Sequence, residues 1–533
     1  MTTTDVSPPP VDEREPLTST SGGASRQWRA VWRIHFYSGI FAFPFILLMA
    51  VTGLVILYTQ PIQDRTQGDL YKVGVGTETV SYEEQAAAVE EAYPGASVIS
   101  LTTPTAADRS SIFGLEGGDQ HVAGDQAFVD PYSGEVLGTN EAGGAIVGLA
   151  NRLHGFLNME SATVDLPTVS ALWDEGPVLR EYVLFDLVLE ILGVWTLVLV
   201  MSGLFLWWPR RARATAAAAA GNGGGNGGGA GNGNGDGIRA AKPKSILGVR
   251  RGMTGRARWR DLHGLSGVLL LSAVVVTIFS GLAWSTYWGA NFGALADTVT
   301  PGKVVEAPPS GLGTRGDLDR LGNHINWNTG DDPIPASYAT GTDGSEPAPM
   351  RLNDVVDIAE DEGMKPGFSV YFPTNVTDEE GTTAYGAFTV SNSWPRKTGE
   401  ARDLYLDQFT GKTLDEQQAY GYGPIGRGMD TLVSTHMGTQ LGVFSRIMMT
   451  SLCVLAIWSV TSAMVMFTKR RRPGTVGLPR RPADVRLPRK LALIAGASAV
   501  VFPQWGVTAL VVLAVDRWII RRVPRLRAAF GQR

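Results

Sequence analysis

Four of the six histidines in this chain stand at matched places in two similar stretches of sequence. His35 and His263 each precede a long apolar run, with a glycine four residues later and a hydroxyl–Gly pair that ends 18 residues later. His154 and His436 lie beyond those runs, each ahead of a further apolar run. Neutral imidazole is a ligand for iron, copper and zinc, so matched pairs of histidines could hold metal centres.

Two imidazoles suit a haem better than a zinc ion. Zinc usually takes four ligands, whereas two histidines from facing helices can fill the axial positions of a haem. The single cysteine and the lack of a C-x-x-C-H motif exclude covalent haem attachment, multi-thiolate iron–sulfur clusters and an intrachain disulfide. We therefore predict two non-covalent haems, an inner one held by His35 and His263 and an outer one held by His154 and His436.

Several of these residues also allow a structural interpretation. A lone histidine at a membrane boundary is often an amphipathic side chain at the headgroups, and only the pairing of four favours ligands. Gly39 and Gly267 would leave room for a flat macrocycle or would allow close helix packing. Arg33 and Arg260 could contact haem propionates, or could contribute only to the positive charge of the inner membrane face.

The remaining polar candidates are two carboxylates and two unmatched histidines. Asp186 and Glu190 are four residues apart near the outer end of the second apolar run, and so lie on one face of a helix. Because carboxylates within a membrane are candidates for function, they could transfer protons, pair with an arginine or contact external water. His121 and His324 lie in polar stretches without a matched position.

The composition indicates a polytopic membrane protein with large polar regions. Hydrophobic residues make up 44% of the 533 residues and charged residues 18%, and the apolar runs reach the roughly 20 residues that a helix needs to cross a bilayer. Basic flanks alternate in a way that places both termini and a Gly/Ala/Asn-rich linker inside, and two long polar regions outside. We expect membrane lipid as the surroundings, and the net charge of −5 does not suggest a nucleic-acid partner.

The order of these features predicts two copies of one unit. Each copy has an outward helix, an external α/β module, an external histidine and an inward helix, and a repeat of this length is a strong signal. The external regions share a turn pattern at Asp130–Leu137 and Asp407–Leu414. The last apolar segment, Leu491–Ile520, has basic residues at both ends and Pro503 near its middle. We predict that it forms a proline-broken re-entrant hairpin, with a fifth span as the alternative.

The fold class predicted from these patterns is a mainly α membrane protein, with a two-fold repeat of four transmembrane helices and two external α/β modules. The predicted boundaries are a cytoplasmic tail over 1–28, helix one over 29–59, external module one over 60–181, helix two over 182–208, a cytoplasmic linker over 209–258, helix three over 259–289, external module two over 290–440, helix four over 441–468, a cytoplasmic loop over 469–489, a hydrophobic hairpin over 490–522 and a cytoplasmic tail over 523–533.

The sequence resembles the PepSY-associated transmembrane proteins from about Arg29 to Arg522. The resemblance rests on the helix starts WRIH and WRDLH, the external DPYSGEVLG and the helix end SGLFLWWPRR. The long linker, a degenerate second module and the ending TSAMVMFTKRRR depart from the family pattern. The family includes iron-regulated inner-membrane proteins, among them ferrisiderophore reductases that bind b-type haem through histidines.

The resemblance implies a membrane-bound ferric-chelate oxidoreductase of the inner membrane, with haem b at His35, His154, His263 and His436. Its electron acceptor would be a ferric siderophore or another ferric chelate outside. The donor is not identified, because the Gly-rich stretch 221–237 lacks the context of a dinucleotide fingerprint. Two alternatives are a non-enzymatic protein whose PepSY-like modules bind peptides or regulate a peptidase, and a transporter with repeated halves.

Overall fold

The structure, a computed structural model, describes most of the chain outside its tails and some polar loops. The described residues are 20–117, 125–141, 145–156, 162–168, 178–221, 249, 254–283, 285–300, 309–314, 333–338, 348–377, 383–392, 397–418, 421, 423–470 and 489–530. His121, His324 and most of the predicted linker lie outside them.

Helices account for most of the described residues. They are α1 (Thr20–Leu57), α2 (Thr59–Thr66), α3 (Gly68–Tyr71), α4 (Tyr82–Ala92), α5 (Ala145–Phe156), α6 (Leu184–Gly221), α7 (Gly255–Leu282), α8 (Thr286–Val299), α9 (Leu352–Asp361), α10 (Gly423–His436), α11 (Val443–Arg470), α12 (Arg489–Val501), α13 (Pro503–Val515) and α14 (Pro524–Ala529).

The strands lie in the two polar regions. They are β1 (Ala96–Thr102), β2 (Ser111–Gly117), β3 (Asp125–Val129), β4 (Val136–Glu141), β5 (Thr163–Pro167), β6 (Leu179–Val183), β7 (Pro309–Thr314), β8 (Pro333–Pro335), β9 (Ser369–Tyr371), β10 (Asn375–Thr377), β11 (Thr383–Tyr385), β12 (Ala387–Ser391), β13 (Arg402–Asp407) and β14 (Thr413–Gln418).

The chain divides into two compact units. The terminal unit comprises Met1–Ile40, Val198–Gly252 and Val465–Arg533, and the main unit comprises Phe41–Leu197 and Met253–Met464. The main unit contains every strand of the described residues and three of the four histidines singled out by the sequence. Each unit is described separately below.

Four helices of the described residues are long and apolar enough to cross a membrane, as the sequence predicts. The candidate spans are Gln27–Leu57, Leu184–Trp207, Gly255–Leu282 and Val443–Arg470. Several helix limits differ from the predicted boundaries. Helix α1 begins at Thr20, within the predicted tail, and α6 continues to Gly221, within the predicted linker. The sequence predicts a third helix as far as residue 289, whereas α7 ends at Leu282 and α8 begins at Thr286. Apolar residues lie on both sides of this break, so the sequence pattern does not predict the break.

The main unit contains an eight-stranded antiparallel sheet that draws strands from both polar regions, beside the two-stranded sheets β5-β6, β7-β8 and β10-β11. In the described residues the strand order of the eight-stranded sheet is β14-β13-β12-β9-β1-β2-β3-β4. The regions join where β1 pairs with β9, with Leu101 opposite Val370. The sequence predicts two modules, and the structure combines their strands into one layer because the edge strand of each region satisfies the backbone hydrogen bonds of the other.

Helices α4 and α9 connect the two regions further. The backbone N–H of Tyr82 at the start of α4 donates to Asn353 Oδ1 at 2.7 Å, and the N–H of Asn353 at the start of α9 donates to Glu83 Oε1 at 2.9 Å. Each helix thus supplies a side chain that satisfies an N-terminal donor of the other. Apolar side chains of both regions, Val89 and Val355 among them, form one buried cluster.

The two octets that the sequence pairs adopt the same turn. In both, the glycine N–H donates to the carbonyl of the leading aspartate at 2.9 Å, from Gly134 to Asp130 and from Gly411 to Asp407. Both glycines have positive φ, 73° and 67°, a conformation that glycine adopts without steric cost. Each aspartate carboxylate also accepts the backbone N–H two residues on.

The C-terminal apolar segment is broken at its proline, as the sequence predicts. Pro503 begins α13, and Phe502 before it leaves the helical region with φ −125° and ψ 76°. A Cβ on Gly506 would lie 2.9 Å from Ala499 Cβ, although residues seven apart in a straight helix are separated by about 10 Å of rise. The segment is therefore sharply bent, and each arm has only 13 residues.

Candidate functional site

The structure brings His154 and His436 together in the main unit. Their ring centroids are 6.2 Å apart and their planes meet at 69°. His154 lies on α5, and His436 is the last residue of α10. The sequence could not fix the depth of His154, because a long polar stretch separates it from the next apolar run. The fold places its ring against α1, beside Thr52.

A hydroxyl group contacts Nδ1 of each imidazole in this pair. Thr52 Oγ1 lies 2.8 Å from Nδ1 of His154, and Ser280 Oγ lies 2.8 Å from Nδ1 of His436. Each hydroxyl also donates to a backbone carbonyl of its own helix. Because a hydroxyl has one proton, it accepts the Nδ1–H of the imidazole, which leaves the Nε2 lone pair for another partner.

These hydroxyls are functional candidates to which sequence reasoning gave no role. Thr52-Gly53 and Ser280-Gly281 marked the repeat, and their fixed spacing from His35 and His263 was the available signal. A Cβ at Gly53 would lie 3.6 Å from Cε1 of His154, and one at Gly281 would lie 3.9 Å from Cε1 of His436. The small residues therefore lie directly beside the rings.

Partial burial keeps this pair neutral. It lowers the pKa of His154 to about 4, and burial with a smaller contribution from the neighbouring His154 lowers the pKa of His436 to about 4. Both rings are therefore uncharged at physiological pH, the state in which imidazole binds metal ions.

The separation of the rings fits a single metal ion between them. A metal–imidazole bond is about 2 Å and a ring nitrogen lies about 1 Å from the ring centre, so two rings on opposite sides of one ion have centres about 6 Å apart. The observed 6.2 Å agrees with this value, and it also lies within the range of about 4.5–7 Å for ordinary edge-to-face packing of two rings. Two axial imidazoles are what a haem takes from a protein. Within the described residues, no group of three or more His, Cys, Asp or Glu could hold an ion.

The inner histidines have a matched environment. In the terminal unit, Nδ1 of His35 lies 3.0 Å from the Leu199 carbonyl and 3.1 Å from Ser202 Oγ. In the main unit, Nδ1 of His263 lies 3.1 Å from the Ser459 carbonyl and 3.1 Å from Ser462 Oγ.

A carbonyl acceptor fixes the proton on Nδ1 in both rings. Hydrogen bonds of this kind orient the imidazole of a metal-ligating histidine. His35 and His263 belong to different units, and their pairing remains a sequence-based prediction.

The two glycines one turn beyond the inner histidines differ from each other. A Cβ on Gly39 would lie 3.6 Å from Leu199 Cδ1, which is an ordinary helix-packing contact. A Cβ on Gly267 would meet no atom of the described residues within 4 Å. Helix packing within the described chain therefore accounts for Gly39 only, Gly267 lies on an exposed surface of α7, and room for a macrocycle there stays a prediction.

The two arginines have protein partners. Arg33 is buried, and its guanidinium donates to the Phe530 carbonyl at 3.1 Å and to the Tyr37 hydroxyl at 3.0 Å. It therefore links α1 to the C-terminal end of the chain within the terminal unit. Arg260 lies 3.7 Å from the carboxylate of Asp261. A propionate contact for either arginine stays a prediction.

The two intramembrane carboxylates cap a helix, a role that the sequence did not predict. Asp186 accepts the backbone N–H of Thr286, and Glu190 Oε1 accepts the N–H groups of Tyr287 and Trp288 at 3.0 Å each. These are among the N-terminal donors of α8 that have no partner within the helix. The carboxylates of α6 thus fix the point where α8 begins.

Replacing Glu190 with alanine should destabilise the protein more than replacing it with glutamine. Alanine leaves two buried N–H groups without an acceptor, at a cost of about 1–3 kcal/mol each, whereas glutamine keeps an oxygen in place. Thermal unfolding of the detergent-solubilised protein, followed by tryptophan fluorescence, measures the difference. An alanine variant as stable as the wild type would contradict the capping role.

A comparison with protein families gives one match. Residues 32–470 match the model of the PepSY-associated TM region. That range contains the four candidate spans almost entirely, the sheet and all four paired histidines. No curated protein matches the chain. Because the match covers most of the sequence, this chain is a membrane protein that belongs to the PepSY-associated TM region family.

Proposed function

We propose that this protein carries electrons across the membrane and reduces a ferric chelate at the outer surface for iron acquisition. The observation that carries the proposal is the pair His154 and His436, two neutral imidazoles with centroids 6.2 Å apart. Haem b bound there would supply one-electron chemistry at an iron whose potential depends on its axial ligands and surroundings.

Side chains around the pair would hold these ligands in place. Thr52 and Ser280 accept the Nδ1–H groups and so direct Nε2 of each ring away from the hydroxyls. Such outer hydrogen bonds fix the tautomer and the orientation of metal-bound histidines. The matched contacts of His35 and His263 support the assignment of a second haem to the inner pair and support an internal repeat.

The proposed topology follows from the charges that flank the spans. Basic residues alternate with the spans so that the linker and both termini lie inside and the sheet lies outside the inner membrane. The eight-stranded sheet offers a folded surface for a bulky ferric ligand, whereas the predicted inner linker is rich in Gly, Ala and Asn. Electrons from the unidentified donor would then leave the protein at the outer histidine pair, and reduction of a chelate that prefers ferric iron would release the metal.

The test is to reduce the purified protein chemically, add a panel of ferric siderophores and follow the visible bands. We expect at least one complex to reoxidise the protein faster than buffer alone. If no member of a broad panel does, the reductase proposal fails and the peptide-binding alternative gains support. A wild type that is colourless after expression with ample iron would remove the haem proposal itself.

A further inference from the structure

An open cavity of about 940 Å³ lies in the main unit, between α10, the ends of β12–β14 and the turns around Lys365 and Thr398. This volume is within the range of roughly 300–1,000 Å³ that small-molecule sites occupy. Its wall is rich in amide and hydroxyl groups, from Asn392, Gln418, Thr431 and Gln440 among others. It is therefore suited to a ligand with many oxygen atoms.

The charged side chains that line this cavity are mostly basic. They are Lys365, Arg402 and Arg427, against one carboxylate, Glu400. Lys365 pairs with Glu400 at 3.0 Å. Arg402 pairs with two carboxylates outside the lining, Glu416 at 2.6 Å and Glu362 at 3.4 Å.

The exposed Arg427 has no ion pair among the described residues. It is therefore the cation best placed to meet an anionic ligand that enters the cavity.

The same helix carries the cavity wall and the outer histidine. Arg427 and Thr431 are four residues apart on α10 and so share a face, and His436 ends that helix. From Thr431 to His436 the helix rises by about 8 Å.

Hydrogen bonds connect the cavity to the turn that precedes His436. The Thr398 hydroxyl in the cavity wall lies 3.1 Å from Ser434 Oγ, and both hydroxyls contact Gln440 Oε1. Arg427 and His436 are nine residues apart, or about two and a half helical turns, and so lie on opposite sides of α10. A ligand in the cavity would therefore be separated from the outer histidine by about one helix diameter, roughly 10–12 Å.

We propose that this cavity binds the electron acceptor and selects ferric complexes of negative charge, such as those built from carboxylates. The proposal rests on the function proposed above and adds the place and the charge of the acceptor. In the step, one electron leaves the reduced protein and reduces the bound ferric ion to ferrous. No covalent bond of the protein forms or breaks.

Binding can be measured without electron transfer by using gallium(III) citrate, an anionic complex that is not reduced under these conditions. Isothermal titration calorimetry on the intact protein should show binding to the wild type. Arg427→Glu should weaken it by about tenfold or more, which corresponds to about 1.4 kcal/mol. Gly428→Trp should weaken it similarly, because a Cβ at Gly428 meets no atom of the described residues within 4 Å and the indole would fill the cavity.

Two controls distinguish selection by charge in the cavity from a general effect of surface charge on binding. Arg65→Glu changes an exposed arginine outside the cavity by the same charge and should leave binding within about twofold. Gallium(III) desferrioxamine B, a cation, should bind the wild type more weakly than the citrate complex, and Arg427→Glu should not weaken it.

The outcomes distinguish this site from the proposed function. If Arg427→Glu and Gly428→Trp bind gallium citrate like the wild type, or if the wild type does not bind it, the cavity assignment is wrong. Equal binding of the cationic complex contradicts charge selection. Binding with these variant effects, but no reoxidation by any ferric complex, supports the site and rejects the reductase. Reoxidation by ferric citrate at the wild-type rate in Arg427→Glu supports the reductase and rejects this cavity.

Discussion

Replacing His154 with alanine should remove about half of the haem absorbance, and replacing His436 should remove the same half. The two ring centroids are 6.2 Å apart, and if both imidazoles hold one haem, loss of either leaves the other alone. Absorbance per protein, measured after extraction of the pigment, gives the haem content. His263→Ala should remove the other half of the absorbance. Its remaining spectrum should be that of the outer haem, whereas the outer variants should retain the spectrum of the inner haem.

The double variant provides the sharper result. Residues that ligate one centre act as a unit, so their effects are not additive. His154→Ala combined with His436→Ala should therefore lose no more haem than either single variant. Gly155→Ala is a matched control, because a Cβ beside His154 would meet no described atom within 4 Å and should retain both haems. A double variant that loses all its haem would show that the two histidines serve different centres.

The pairing of His154 with His436 could be predicted, because it follows from the order of the repeated features along the chain. Matched histidines in two copies of one unit indicate equivalent places, and apolar periodicity predicts the helices that hold them. The sequence could not assign a role to Thr52 and Ser280, since a hydroxyl within a helix commonly bonds its own preceding turn. Only the positions of α5 and α10 reveal that each hydroxyl also contacts an imidazole.

The eight-stranded sheet and the start of α8 depend on contacts that no local pattern encodes. Alternation predicts a strand such as β1, but its edge can pair with any free strand, and the partner β9 lies some 270 residues away. Likewise, the break after Leu282 is fixed by acceptors on Asp186 and Glu190, about 100 residues earlier. In both cases, backbone N–H groups find acceptors far away in the sequence. The periodicity of apolar residues does not predict such partners.

A tryptophan at Gly267 should remove the haem that His263 ligates, while alanine at the same position leaves it in place. Gly267 lies one turn from His263 on the same helical face, and a Cβ there meets no described atom within 4 Å. A methyl group fits this space, whereas an indole fills the room that a macrocycle needs. The expected haem content of Gly267→Trp is about half that of the wild type, with the spectrum of His263→Ala.

The control for this variant is Leu269→Trp, which adds an indole to an exposed position on another face of the same helix. It should keep both haems and unfold at the wild-type temperature. Apart from the stability that the lost haem contributed, Gly267→Trp should also unfold near the wild-type temperature, because the indole displaces no packed side chain. Wild-type haem content in Gly267→Trp would mean that Gly267 faces lipid, and that the inner macrocycle does not lie on the side of α7 that carries His263 and Gly267.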